Sequence, residues 1–401
     1  MSNFSYFLGI DVSKRSFDAC LIDAKEFVLM NDKYEMDSDG FEKLMLRLQK
    51  FDLDEVLVVL ESTSIYHVNL FFHLEEKGFA VAVVNPLLIH NFNKSVTLRK
   101  SKTDKIDAFR IACFTLHNQD KINLNKTPTA SIRSLSRERD RLSKETAKLK
   151  TEIKNHLQIL FPELVNNYNV FTKTMLLLLL KAPGAFPIKK MRPVQIERIF
   201  SKTSGNKVQL SPRELVRMAR KSFGIDDKHL QTVLIMKIET LLFIQKQKGE
   251  MDKVLKDYVE ENLKKDFEII TSINGIGQTT AEKFLIEIGD ISKYKSHNQL
   301  RAYIGTDPSI KQSGSSINVQ GKISKRGNSH LRRTIWQMAV SVINYSDNFA
   351  AYFEKKMTEG KKYKQAVIAV ANKLIKTLYA ILKNKSKFCE NYRNQSKFIY
   401  S

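Results

Sequence analysis

"YFLGIDVSKRSFDACLID", residues 6–23, decides the reading of the fold. It falls into two short apolar runs, YFLGIDVS and FDACLID, joined by a basic turn, which is the pattern of two neighbouring strands. EFVLMND (26–32) reads as a third strand. DGFEKLMLRLQKF (39–51) has the 3.6-residue apolar spacing of a helix with an Asp N-cap. EVLVVLE (55–61) is a continuous apolar run that suits a central strand covered on both faces. HVNLFFHLEEKG (67–78) predicts a helix closing at Gly78, and AVAVVNP (80–86) a further strand. Strands followed by helices in this order predict a mixed α/β sheet.

The pattern changes near Thr127. Ile132, Leu135, Leu142, Leu149, Ile153 and Leu160 fall on heptad positions, with Arg139, Thr146 and His156 interrupting the seam. This predicts a long helix of coiled-coil type in which polar positions set register. A second long helix is expected at about 230–263, antiparallel to the first. ITSINGIGQTTAEKFLIEIGD (270–290) has the form of a helix-hairpin-helix. The amides around Gly275 and Gly277, with the helix N-terminus that follows, suit phosphate; an ordinary glycine turn fits the same letters. The expected division is 1–126, 127–266 and 267–401, α/β first and mainly helical afterwards.

The balance of 66 Lys+Arg against 43 Asp+Glu gives a net charge of +23, which points to a polyanionic partner. Three scattered cysteines contain no CxxC pair, so neither a zinc site nor a disulfide framework is indicated. The first residues lack the charged and apolar regions of a signal peptide, and the longest apolar run, Met175–Leu180, is too short to span a bilayer. A cytoplasmic protein with no membrane partner is expected.

Against that basic background, SKTDKIDAFRIA (101–112) sets Asp104 and Asp107 three residues apart on one helix face. Asp11 follows YFLGI and Glu61 follows EVLVVL, both where strands should end, and such ends gather ligand and catalytic groups in α/β sheets. Four converging carboxylates need a cation, and all-oxygen sites select Mg²⁺ or Mn²⁺. Two ions there can stabilise the attacking and leaving oxygens of phosphoryl transfer. Each residue also has a plain reading: Asp11 in a turn, Glu61 capping a helix, Asp104 and Asp107 as an N-cap pair. Near the other end, AYIGTDPSIKQSGSSINVQGKISKRGNSHLRR (302–333) carries Lys311, Lys322, Lys325, Arg326, Arg332 and Arg333, with no acid after Asp307 until Asp347. It reads as a flexible phosphate-binding loop with Ser313 near its head.

GIDVSK (9–14), the strand ending in Glu61-Ser62, the Asn85-Pro86 pair and KTDKIDA (102–108) together resemble the N-terminal RuvC-like DEDD domain of the IS-one-ten family of insertion-sequence transposases, which includes pilin-gene invertases. GTDPSIKQSG and GKISKRGNSHLRR are similar to that family's C-terminal domain. The resemblance runs to about residue 385. It departs at ESTS (61–64), where Ser64 stands for the family's glycine. It implies an RNase H-like fold and Asp11, Glu61, Asp104 and Asp107 as the metal tetrad. It implies Ser313 as a nucleophile forming a transient covalent link to DNA, and a structured guide RNA pairing with donor and target DNA. A dimer or tetramer is expected, because strand exchange needs several active sites. Two other functions fit parts of the sequence. A RuvC-like junction resolvase needs the carboxylates and metal without the serine, and a nucleic-acid-binding scaffold needs neither.

Overall fold

The apolar runs around Tyr6 do form strands. A computed structural model describes residues 4–62, 65–84, 86–96, 104–119, 122, 129–202, 210–313 and 317–390. Contacts divide the chain into two units, residues 1–127 and 128–401. The expected segments 127–266 and 267–401 fall together in the second.

The first unit holds β1 (Tyr6–Val12), β2 (Ser16–Asp23), β3 (Val28–Glu35), α1 (Ser38–Leu48), β4 (Val56–Glu61), α2 (His67–Glu76), β5 (Ala80–Val84), α3 (Pro86–Val96) and α4 (Asp104–Asn118). The sheet order is β3-β2-β1-β4-β5. β1, β2 and β3 pair antiparallel, whereas β4 lies parallel to β1 and β5 parallel to β4. The third strand starts two residues later than expected because Glu26 takes a left-handed backbone (φ 65°) in the turn before it. Asp37 caps α1, its Oδ1 accepting from the Gly40 amide at 2.8 Å.

Two apolar faces explain the continuous runs. Leu8, Ile10, Val58 and Leu60 pack with Leu44 of α1 and Leu70 and Leu74 of α2. Phe7, Cys20 and Leu57 face the other way, onto Ala108 and Ala112 of α4. Burial pushes the Cys20 thiol up to about 12 and the Cys113 thiol to about 11, so both serve as small hydrophobes. Gly9 lets α4 approach this second face, because a Cβ there would collide with the backbone of Ala108 and Ala112.

The second unit is helical apart from one hairpin. α5 (Thr129–Leu160) and α11 (Lys228–Asn262) form a long pair, with α6 (Pro162–Asn167), α7 (Lys173–Lys181), α8 (Ala185–Lys189), α9 (Pro193–Phe200) and α10 (Pro212–Arg220) between them in sequence. Ile132 packs with Leu255 and Val259, Arg139 pairs with Asp252 at 2.5 Å, and Glu152 pairs with Lys237 at 2.6 Å. Partners fall along α11 as residues rise along α5, so the pair is antiparallel. Arg139, expected in the seam, is buried there. Then come α12 (Lys264–Thr271), α13 (Gln278–Ile288), α14 (His297–Ile304), β6 (Pro308–Ser313), β7 (Ile317–Ile323), α15 (Ser329–Tyr345), α16 (Asp347–Thr358) and α17 (Tyr363–Lys383). α17 alone among the described helices is long and apolar enough to cross a membrane, but it buries Val367, Val370, Leu374 and Leu378 in the C-terminal core.

The seating of α4 is testable. Gly9→Ala should cost about 3 kcal/mol, as overpacking of a tight core does, with loss of the urea midpoint as the measure.

Candidate active site

Parallel pairing of β1 and β4 aligns Ile10 with Leu60. Asp11 and Glu61 are therefore the next residues on adjacent strands, at the same carboxyl edge. Asp11 lies within β1, one residue before its end, and Glu61 closes β4. Side chains alternate along a strand, so Asp11 shares the face of Phe7 and Gly9, and Glu61 that of Leu57 and Val59. This is the face that α4 covers.

The direction of α4 follows from its far end. His117 bonds Glu26 at 2.7 Å, in the turn after β2, beside the start of β1. The first turn of α4 is thereby brought to the other end, where Asp11 and Glu61 lie. That turn carries Asp104 and Asp107. The Asp104 side chain lies outside the described residues, as do residues 101–103, Ser64 and Asn85. Asp107 pairs with Arg110 at 3.0 Å.

A further carboxylate escaped the sequence reading. Asp18 stands directly opposite Asp11 in the β1–β2 ladder and is buried. Its one signal was an acid inside the apolar run FDACLID. The donors on this face are all carboxylate oxygens, the chemistry of a hard divalent cation. Among the described residues, however, no three His, Cys, Asp or Glu side chains gather closely enough to hold an ion.

In the second unit, residues 308–323 form a hairpin, correcting the expected loop. Ile317, Val319 and Ile323 supply the alternation of a strand, which the glycines and serines mask. Ser313 pairs with Ile317, at the last rung before Gly314–Ser316, which lie outside the described residues. The side chains of Lys311, Ser313 and Lys322 also lie outside them. Asp307 clasps the hairpin's base, its carboxylate accepting from the Ser324 hydroxyl at 2.6 Å. Lys325 follows with a left-handed backbone (φ 54°), a conformation that non-glycine residues hold only when their surroundings enforce it. Lys325, Arg326 and Arg333 are exposed, whereas Arg332 turns inward and donates to the Ile304 carbonyl at 3.1 Å. In the turn between α12 and α13, a Cβ on Gly275 (φ 94°) would press on Ser341 and Val342 of α15, while Gly277 meets nothing. Packing thus explains the first glycine, and the second leaves the start of α13 open.

A family model described as a transposase, the DEDD type of IS110, matches residues 8–162. A second, described as "Transposase IS116/IS110/IS902 family", matches residues 267–354. The chain belongs to the IS116/IS110/IS902 transposase family. This transposase is 24% identical over 385 residues to the pilin gene-inverting protein of Moraxella lacunata, covering 95% of this chain and 97% of that one. It is 30% identical over 145 residues to the transposase for insertion sequence element IS1111A of Coxiella burnetii, covering 34% of this chain and 40% of that one. It is accordingly a DNA transposase or recombinase.

The transposase braces its basic segment through one buried acid. Glu287 of α13 accepts two bonds from Arg137 of α5, at 2.7 and 2.9 Å, and a third from Asn328 Nδ2 at 2.6 Å. Asn328 in turn caps α15, its Oδ1 accepting from the His330 and Leu331 amides. Burial alone would raise the Glu287 pKa, but the Arg137 and Asn328 bonds hold it below the usual carboxylate range. Burial, with Arg137 nearby, holds His330 below the ordinary histidine value.

A folded-state pKa below the unfolded one gives stability that is present at neutral pH and lost as pH falls from about 4.5 through the depressed value. Glu287→Gln should therefore flatten the acid limb of the stability–pH curve measured by urea melts. Arg137→Ala should cost about 3 kcal/mol at pH 7, the low end for breaking a buried pair, because the guanidinium is half exposed.

Proposed function

We propose that this transposase cuts and rejoins the DNA of an insertion sequence with two chemical parts: a carboxylate-held divalent ion in the first unit and Ser313 in the second. One observation carries the reading. A single face of the sheet brings Asp11 and Glu61 to adjacent strand ends and directs toward them the helix turn that bears Asp104 and Asp107. Antiparallel β3-β2-β1 joined to parallel β4 and β5 supports an RNase H-like, RuvC-like assignment for this unit. Asp11, Glu61, Asp104 and Asp107 would hold Mg²⁺ or Mn²⁺, with Asp18 behind Asp11. The bound ion would supply charge stabilisation for the oxygens of the phosphodiester.

Ser313 is the proposed nucleophile. Its oxygen bonds to phosphorus, the bond from phosphorus to one strand's leaving oxygen breaks, and that oxygen takes up a proton. The hydroxyl is weak at neutral pH, so the cations of the hairpin and of Lys325 and Arg326 have a role in offsetting the phosphate charge. Rejoining reverses the step with a different strand end. The net charge of +23 supports contact with DNA and with a guide RNA from the element, and the demands of strand exchange support a dimer or tetramer. A bacterial cytoplasmic location accords with these partners.

Asp11→Asn should abolish divalent-dependent cleavage while DNA binding persists; full activity in that variant would reject the metal assignment. Ser313→Ala should bind DNA yet yield no recombinant product. A suicide DNA substrate should leave an adduct on Ser313 of the wild type, read by mass spectrometry. An adduct on Ser315, Ser316 or a tyrosine would refute the nucleophile, and recombination by Ser313→Ala would point to metal-activated water, as in a resolvase. Arg326→Ala should weaken binding alike for all DNA sequences and lower the salt slope by about one unit, measured by titration at several ionic strengths.

A further inference from the structure

Beside the base of the hairpin lies a cleft of about 370 Å³, lined by Thr306, Ile323, Arg333, Trp336, Lys364 and Ile368. Ligand sites commonly run from roughly 300 to 1,000 Å³, so this one suits a small occupant. Its chemistry is divided. Trp336, the chain's single tryptophan, packs in part against the C-terminal core and offers an aromatic wall, with Ile323 and Ile368 nearby. Arg333 and Lys364 are exposed cations at the same cleft. Arg332 also lines it, but its guanidinium is tied to the Ile304 carbonyl.

The decisive group is Thr306. Its side chain is 1% exposed, yet its hydroxyl has no hydrogen-bond partner among the described residues. A buried polar group left unpaired is costly, and such exceptions call for an explanation such as a missing ligand. An aromatic wall, two cations and an orphan hydroxyl match one unpaired nucleotide: the base against Trp336, a base-edge polar atom on Thr306, and the phosphate between Arg333 and Lys364.

We propose that this cleft is a pocket for a single nucleotide extruded from the DNA held by the basic hairpin. The proposal rests on the reading of the chain as a DNA-acting transposase and adds to it a base-recognising site apart from Ser313. Extrusion there would make the flanking backbone easier to bend, and the unpaired base would be read by its edge.

Three duplexes of one length test it on the full chain: fully paired, with one bulged adenine, and with an abasic site in the bulge. The bulged adenine should quench the Trp336 emission and bind about tenfold tighter than the abasic bulge, as expected for loss of one stacked base. Thr306→Val, which keeps the shape and removes the hydroxyl, should narrow that preference. Arg333→Ala, on the surface and harmless to folding, should weaken both bulged duplexes together. Equal affinity for adenine and abasic bulges would overturn the pocket while leaving DNA binding intact. Failure of all three duplexes to bind would overturn both this proposal and the DNA-binding reading beneath it.

Discussion

The first unit depends on the absence of one methyl group. Gly9 sits in the middle of β1, where a Cβ would strike the backbone of Ala108 and Ala112. Without one, α4 packs backbone to backbone on the sheet. Small residues on both sides of that contact, Ala108 and Ala112 on α4 and Cys20 on β2, extend the close approach. The first turn of α4 is then fixed against the carboxyl edge of β1 and β4. The order of the carboxylates along the chain matters less than this approach, which turns four scattered positions into one end of one face.

The second unit solves a different problem. Its basic segment is short of apolar residues and cannot hold itself in place. It is pinned instead by polar contacts: Asp307 with Ser324 across its own base, and, from outside the segment, Glu287 of α13 with Asn328 and Arg137 of α5 behind Glu287. Lys283 adds a pair with Asp140, and Arg133 donates to the Ile286 carbonyl. α5 thereby contacts α13 as well as its long partner α11. Arg139, buried on α5, pairs with the partly exposed Asp252 of α11 across the seam.

What the sequence disclosed was local. Strands β1, β2, β4 and β5 follow from their apolar runs and the first long helix from its heptads, whereas the antiparallel direction of the pair is set by the contacts of Ile132 with Leu255, Arg139 with Asp252 and Glu152 with Lys237. The start of β3 was obscured because glutamate gives no hint of a left-handed turn at Glu26. The cap of α1 fell on Asp37 instead of an aspartate within the quoted helix, since Asp37 and Asp39 both stand at that turn and Asp39 lies inside it. The hairpin at 308–323 was hidden by its own glycines and serines. Within the candidate site, Asp11, Glu61 and Asp107 were legible as acids at element ends. Asp18 was not, because only the strand register sets it opposite Asp11. The Arg137–Glu287 pair joins residues 150 positions apart, a separation no local pattern reports.

The helix pair of the second unit also measures length. One core gathers where Leu157 and Leu234 meet, and another where Ile132 meets Leu255. A rise of 1.5 Å per residue puts Ile132 and Leu157 roughly 38 Å apart along a nearly rigid rod. The pair therefore sets the separation of the two cores, and inserting or deleting a helical turn in both helices would change it by about 5.4 Å.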